Sequence, residues 1–157
     1  MPRRDLVPRE LGTPVWMVAR GDSATAVFHG VAATEEGVFC VLDVLGQDCD
    51  LSLGFGLDGP GGSQEPQVWL EVLSADGDVG DSHLSQLVAG EGGRSDDGLE
   101  RWTFRLWFPL DLDATKSATL HIRWAMLEPK DGEVQLSLEA LKSAAAQAAR
   151  FQDLKAL

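Results

Sequence analysis

The sequence predicts an all-β fold: an antiparallel β-sandwich of about eight strands with one C-terminal α-helix. Three observations carry this. Apolar residues recur with a period of two through most of the chain, and Gly- and Asp-rich turns separate the runs. Only the last segment, "LEALKSAAAQAARFQDLKAL", changes to helical composition with no Gly or Pro. The 157 residues fit a single domain, read as an N-terminal arm (1–12), a sandwich (13–139) and a helix (140–157). A domain of this length buries about 68–70% of the surface its unfolded chain exposes, so folding requires neither a disulfide nor a metal.

The first strands are expected at "VWMVA" (Val15 to Ala19), "TAVFHGVAA" (Thr25 to Ala33) and "GVFCVLDVL" (Gly37 to Leu45). The last two are joined by the short hairpin connection "TEEG". "CDLSLGFGL" alternates Leu51, Leu53, Phe55 and Leu57, and "QVWLEVL" (Gln67 to Leu73) continues the series. The loop "GEGGRSDDG" (Gly90 to Gly98) reads as mobile. After it, "ERWTFRLWFPLDL" puts Trp102, Phe104, Leu106, Phe108 and Leu110 on one face and Thr103 and Arg105 on the other. "ATLHIRWAML" and "GEVQLSLEAL" repeat the alternation, the first with Trp124 on its apolar face, the second with Val134, Leu136 and Leu138. The C-terminal helix carries a narrow stripe through Leu141, Ala144, Ala145, Ala148, Phe151 or Gln152, and Leu154. It packs either on its own sandwich or on a partner.

One stretch imitates an enzyme motif. "GFGLDGPGG" matches G-x-G-x-x-G through Gly54, Gly56 and Gly59. A dinucleotide fingerprint needs a helix next, whose N-terminus carries the pyrophosphate. Here Pro60, Gly61, Gly62 and Pro66 follow, and Asp58 would repel phosphate, so the stretch reads as a turn. "SADGDVGDSH" gathers Asp76, Asp78 and Asp81, hard oxygen donors of the kind calcium takes, but Gly80 and Leu87 stand where an EF-hand places ligands. They are weak calcium candidates beside the commoner acidic turn.

The catalytic patterns are weaker. His29, His83 and His121 share no metal-ligand spacing, and His121 reads as an exposed sheet residue. "GDSAT" lacks the final glycine of a nucleophile elbow and begins a strand. Cys40 reads as a small core residue, and with Cys49 as the only other cysteine no disulfide framework is expected. No cofactor and no enzymatic activity are expected.

The charge is uneven. Net charge is −12, and between Arg20 and Arg94 there are thirteen acids without one Lys or Arg. That field disfavours nucleic acid and anionic membrane surfaces and permits a protein partner or self-association. "MPRRDLVPRELG" has no apolar run after its basic residues, so it does not read as a secretory signal, and a cytoplasmic location is expected.

Two tryptophans break the pattern. Trp107 falls on the face of Thr103 and Arg105, and Trp69 shares parity with Glu71. Trp69, Arg105 and Trp107 are therefore the candidate binding residues, an aromatic platform beside an arginine. The alternative is that the C-terminal helix covers Trp107 and makes it part of a second core.

"GEGGRSDDG" leads into "RWTFRLWFPL", then a short strand with Trp124, then "GEVQLSLEALKSAAAQAA". With the earlier "VFHGVAATEEGVFCVLDV", this order resembles a family of uncharacterised small β-sandwich proteins of actinobacteria. Where that family usually carries Trp-Pro, this chain has Phe108-Pro109. The resemblance implies a small soluble sandwich from a GC-rich genome, which the absence of Tyr and Asn also suggests; it implies no activity. The expected function is a non-enzymatic protein-interaction module, with a carbohydrate or small-ligand sandwich using the exposed tryptophans as the alternative.

Overall fold

A computed structural model describes residues 2, 5–47, 67–76, 80–129 and 131–150, with 149–150 described by backbone alone. The strands are β1 (Leu6–Val7), β2 (Arg9–Glu10), β3 (Met17–Arg20), β4 (Ala24–Thr34), β5 (Gly37–Gln47), β6 (Gln67–Ser74), β7 (Gly80–Leu84), β8 (Gln86–Arg94), β9 (Leu99–Pro109), β10 (Thr115–Arg123), β11 (Asp131–Leu136) and β12 (Ala149–Arg150). A 3₁₀ turn (Leu112–Ala114) precedes β10, and one helix, α1 (Leu138–Gln147), follows β11.

Two antiparallel sheets enclose the core, as the period of two requires. One has the order β11-β10-β6-β7. The other runs β4-β5-β9-β8, with β2 and β3 sharing the outer edge of β4. The interior is filled by alternate residues of both, among them Phe28, Leu42, Leu106 and Phe108 from one sheet and Leu70, Leu120 and Ile122 from the other. Cys40 lies in this core, and burial pushes its thiol up to about 12. It is a packing residue rather than a nucleophile.

The edges are closed by different means. Ser85 alone separates β7 from β8, so one buried residue carries the chain from one sheet to the other. His83 Nδ1 donates to the Pro109 carbonyl at 3.0 Å beside this crossing. At the opposite edge, Glu128 N donates to Arg20 O at 2.8 Å, joining the end of β3 to the turn after β10.

Helix α1 packs on its own sandwich. Ser137 caps it, its Oγ accepting from Ala140 N at 3.2 Å, and Glu139 stands in the first turn. Leu141 and Ala144 are buried against the main core, and the helix meets β4, β2 and β10. It begins two residues before the expected start and stops at Ala148, where the chain turns extended so that β12 can pair with β1.

Several expectations need correction. The N-terminal arm is joined to the structure: β2 pairs with β4, and Leu11 is a core residue. "GEGGR", expected as loop, is strand β8, and only residues 95–98 remain a turn. One of its glycines is there for close approach: a Cβ on Gly92 would collide with the backbone of Arg101 and Trp102 on β9, whereas one on Gly93 would meet nothing within 4 Å. Arg94 Nη2 and the buried Glu100 Oε2 pair across the hairpin at 3.3 Å, and Trp102 Nε1 donates to Glu100 Oε1 at 3.1 Å. Leu138, expected on a strand, starts α1. The expected strand at Leu51–Leu57, the glycines Gly54, Gly56 and Gly59, and Cys49 lie outside the described residues. Among the described residues no helix is long and apolar enough to cross a membrane.

Candidate functional site

The outward face of the larger sheet is built from strands whose inward side chains are all committed to the core. Across it run Thr25, Val27 and His29 of β4, Val41, Asp43 and Leu45 of β5, and Arg101, Thr103 and Arg105 of β9. At its centre a carboxylate organises two neighbours. Asp43 Oδ2 accepts from His29 Nε2 at 2.7 Å, and Thr103 Oγ1 donates to Asp43 Oδ1 at 2.5 Å. Burial alone would push Asp43 up. The hydrogen bonds from Thr103 and His29, with the charges of His29 and Arg101, outweigh it and hold the carboxyl below its ordinary value.

On His29 lies Trp16. The two rings are stacked at 5.0 Å with 13° between their planes, yet Trp16 remains 62% exposed. Val18 and Leu45 are exposed on the same face. Trp16, Arg20, Thr25, Val27, Asp43, Leu45 and Arg101 line a depression of about 620 Å³. A smaller one, about 280 Å³, is lined by Val41, Ala89, Glu91, Thr103 and Arg105. The bonded pair Asp43–Thr103 separates the two.

Two bulges shape this surface. In β4 the register shifts between His29 and Ala32, with Gly30 at φ +60°, a conformation suited to glycine. In β8 it shifts between Leu87 and Ala89. Both lie near the level of Cys40 and Leu106, and both divide the polar part of the face from an apolar part below it. That apolar part is where Trp107 goes. It is only 6% exposed, packed with Ala32, Phe39 and Val88, its ring 6.3 Å from that of Phe39.

Trp107 is therefore no exposed platform, and the helix is not what covers it; a satellite cluster on the outer face does. Arg105 is exposed, its guanidinium carbon 5.9 Å from the Phe39 ring centroid. Trp107→Ala is expected to cost about 3 kcal/mol and to lower the melting temperature by roughly 6–12 °C in a thermal melt followed by circular dichroism. A shift below about 2 °C would remove it from the packed residues.

Trp69 lies on the outward face of the other sheet, so the core separates it from Trp107 and no single ligand engages both. Its ring is stacked on His121 at 5.0 Å and 3°, with the Arg123 guanidinium carbon 5.5 Å from its centroid. His121 is half-buried rather than exposed, with Glu133 Oε2 at 3.4 Å and Glu71 Oε2 at 3.7 Å. Trp69 thus belongs to an intramolecular stack.

Of the calcium candidates, Asp76 follows β6 and Asp81 lies on β7, 3.6 Å from His83 Nε2; Asp78 is outside the described residues. Among the described residues no group of three His, Cys, Asp or Glu side chains could hold a metal ion.

Sequence reasoning missed Trp16, His29 and Asp43 as a group. A signal was present: Asp43 is the single charged residue of an otherwise apolar strand, "GVFCVLDVL", and its partners lie 14 and 60 residues away. The Thr103 hydroxyl gives its proton to Asp43 and not to His29, so the group does not have the hydroxyl–imidazole contact of an activated nucleophile. What it does is hold an indole in place. Comparison with protein families, curated proteins and solved structures gave no match.

Proposed function

We infer that the chain is a non-enzymatic protein-interaction module that docks its partner on the outer face of the larger sheet. The observation that carries this is Trp16, a large exposed ring fixed by its stack on His29, which is itself fixed through Asp43 and Thr103. An aromatic held in one orientation before binding loses little conformational entropy on docking, and Trp and Arg are the residues that most often dominate binding energy. Exposed Val18 and Leu45 extend the apolar contact, and arginines rim it.

The second reading is a carbohydrate or other small ligand in the Trp16 depression. Its volume lies within the range of about 300–1,000 Å³ usual for ligand sites. Trp69 and Trp107 have no part in this version.

Affinity capture from the source organism's lysate, at low and moderate salt, tests the main reading. A specific partner should survive moderate salt on the native chain and fall about tenfold on Trp16→Ala, whose melting temperature should stay within about 2 °C because the ring is exposed. Equal capture by both proteins would sink the assignment. A change in tryptophan fluorescence with a glycan, absent in Trp16→Ala, would favour the second reading.

A further inference from the structure

We propose that this docking face takes an acidic polypeptide segment, with carboxylates on Arg20, Arg101 and Arg105 and an apolar side chain against Trp16. The proposal deepens the interaction reading above and rests on it. Its starting point is an anomaly of charge. In a chain of net charge −12, acids to neutralise every arginine are abundant, and Arg94 and Arg123 are so paired, at 3.3 and 2.6 Å. Arg9, Arg20, Arg101 and Arg105 form no ion pair among the described residues, and the last three are exposed together on this one face.

Their placement follows from the register. Arg20, Thr25, Leu45 and Arg101 lie in one row across β3, β4, β5 and β9, so Arg20 and Arg101 stand about 14 Å apart by strand spacing. Arg105 is four residues further along β9, again about 14 Å from Arg101. His29, with Trp16 stacked on it, lies in the row of Arg105. Three guanidinium groups and an indole thus frame the face, with Val27 and Leu45 among the residues between them.

The acids on the face offset this frame only in part, since Asp43 keeps its charge and acts on Arg101 but offers it no free oxygen pair. Both oxygens of Asp43 are already engaged, by His29 and Thr103, which leaves Glu91 as the exposed carboxylate beside Arg105. A guanidinium fork matches a carboxylate bidentately, which selects acidic over neutral segments. The overall negative charge would slow the approach of such a partner, but screening confines that repulsion to about 8 Å at physiological salt. The same salt weakens the exposed arginine–carboxylate contacts, so binding should fall only modestly between low and physiological salt, whereas a basic partner drawn by the acidic surface would be lost.

Selection of displayed random peptides on the full-length chain, with anisotropy of the selected peptides after labelling, decides the matter. Expected are acidic peptides with at least one large apolar residue, bound about tenfold more weakly by Arg101→Glu, by Arg20→Glu and by Trp16→Ala. Arg101→Gln serves as the milder variant if charge reversal disturbs folding, and should give a smaller loss in the same direction. Selection of basic or neutral peptides that still depend on Trp16 would overturn the acidic partner and leave the interaction reading standing. No enrichment over a resin control would overturn both. Binding of free glutamate or citrate alone, lost in Arg101→Gln, would replace the segment by a small carboxylate ligand.

Discussion

Trp124→Ala is expected to lower stability by about 3–5 kcal/mol, which in a domain of this length moves the melting midpoint down by roughly 6–20 °C. Trp124 is fully buried and is the largest such side chain among the described residues. It stands just past β10, where the chain leaves the smaller sheet and turns, and its carbonyl accepts from Leu127 N at 3.0 Å. The indole therefore helps fill the interior at the point where the strands no longer supply side chains. Its neighbours in sequence, Ile122 and Leu127, are equally buried, so alanine leaves a hole that the rigid strand end cannot close. With total stability of about 5–15 kcal/mol expected for a domain, the variant gives up a large share of its margin.

Paired melts of Trp124→Ala, Trp124→Phe and Trp16→Ala check this by circular dichroism. The phenylalanine variant should recover a good part of the loss, since it restores ring volume, and Trp16→Ala should melt with the native chain. If Trp124→Ala also melts with the native chain, the core described here is wrong at its centre. The contrast bears on function, because three of the five tryptophans do different work: Trp124 fills the core, Trp107 packs a satellite cluster, and Trp16 faces outward.

Period-two alternation made the sandwich legible, because half-buried strands announce which side chains point inward. It also placed Trp107 on the outer face correctly. What it could not say is whether an outward residue is exposed. That depends on Phe39 of β5, directly opposite Trp107, and on Ala32 of β4, which joins the cluster only after the β4 bulge has reset the register. Glycine misled in the opposite sense. In "GEGGR" it read as a loop signal, but Gly92 is glycine because β9 approaches too closely for a Cβ, and a close-packed strand and a flexible loop use the same residue for different reasons. Trp16 was illegible as a site for a simpler reason: its exposure comes from lying just before β3 begins, at Met17, and an element boundary is weakly encoded in a short apolar run.

Gly21→Ala should lower stability by about 1–3 kcal/mol and weaken the binding face together. A Cβ at position 21 would fall inside the contact distance of the Met126 carbonyl, with the Leu127 backbone close behind. Neither obstacle is a flexible side chain, so β3 or the turn after β10 must move as a whole. The same junction holds the Glu128 N to Arg20 O bond at 2.8 Å and the Gly21 N to Ala24 O bond, also at 2.8 Å. Displacing β3 carries Arg20 and the adjoining Trp16 with it, which spoils the spacing between Arg20 and Arg101 without touching a binding side chain. Gly80→Ala is the matched control, because a Cβ there meets nothing within 4 Å. The control should keep its melting temperature and its affinity for any peptide selected on the native chain. In Gly21→Ala both should fall, by several degrees and about tenfold respectively. A loss of stability with affinity intact would mean that the face is assembled on β4, β5 and β9 alone, and that Arg20 lies outside it.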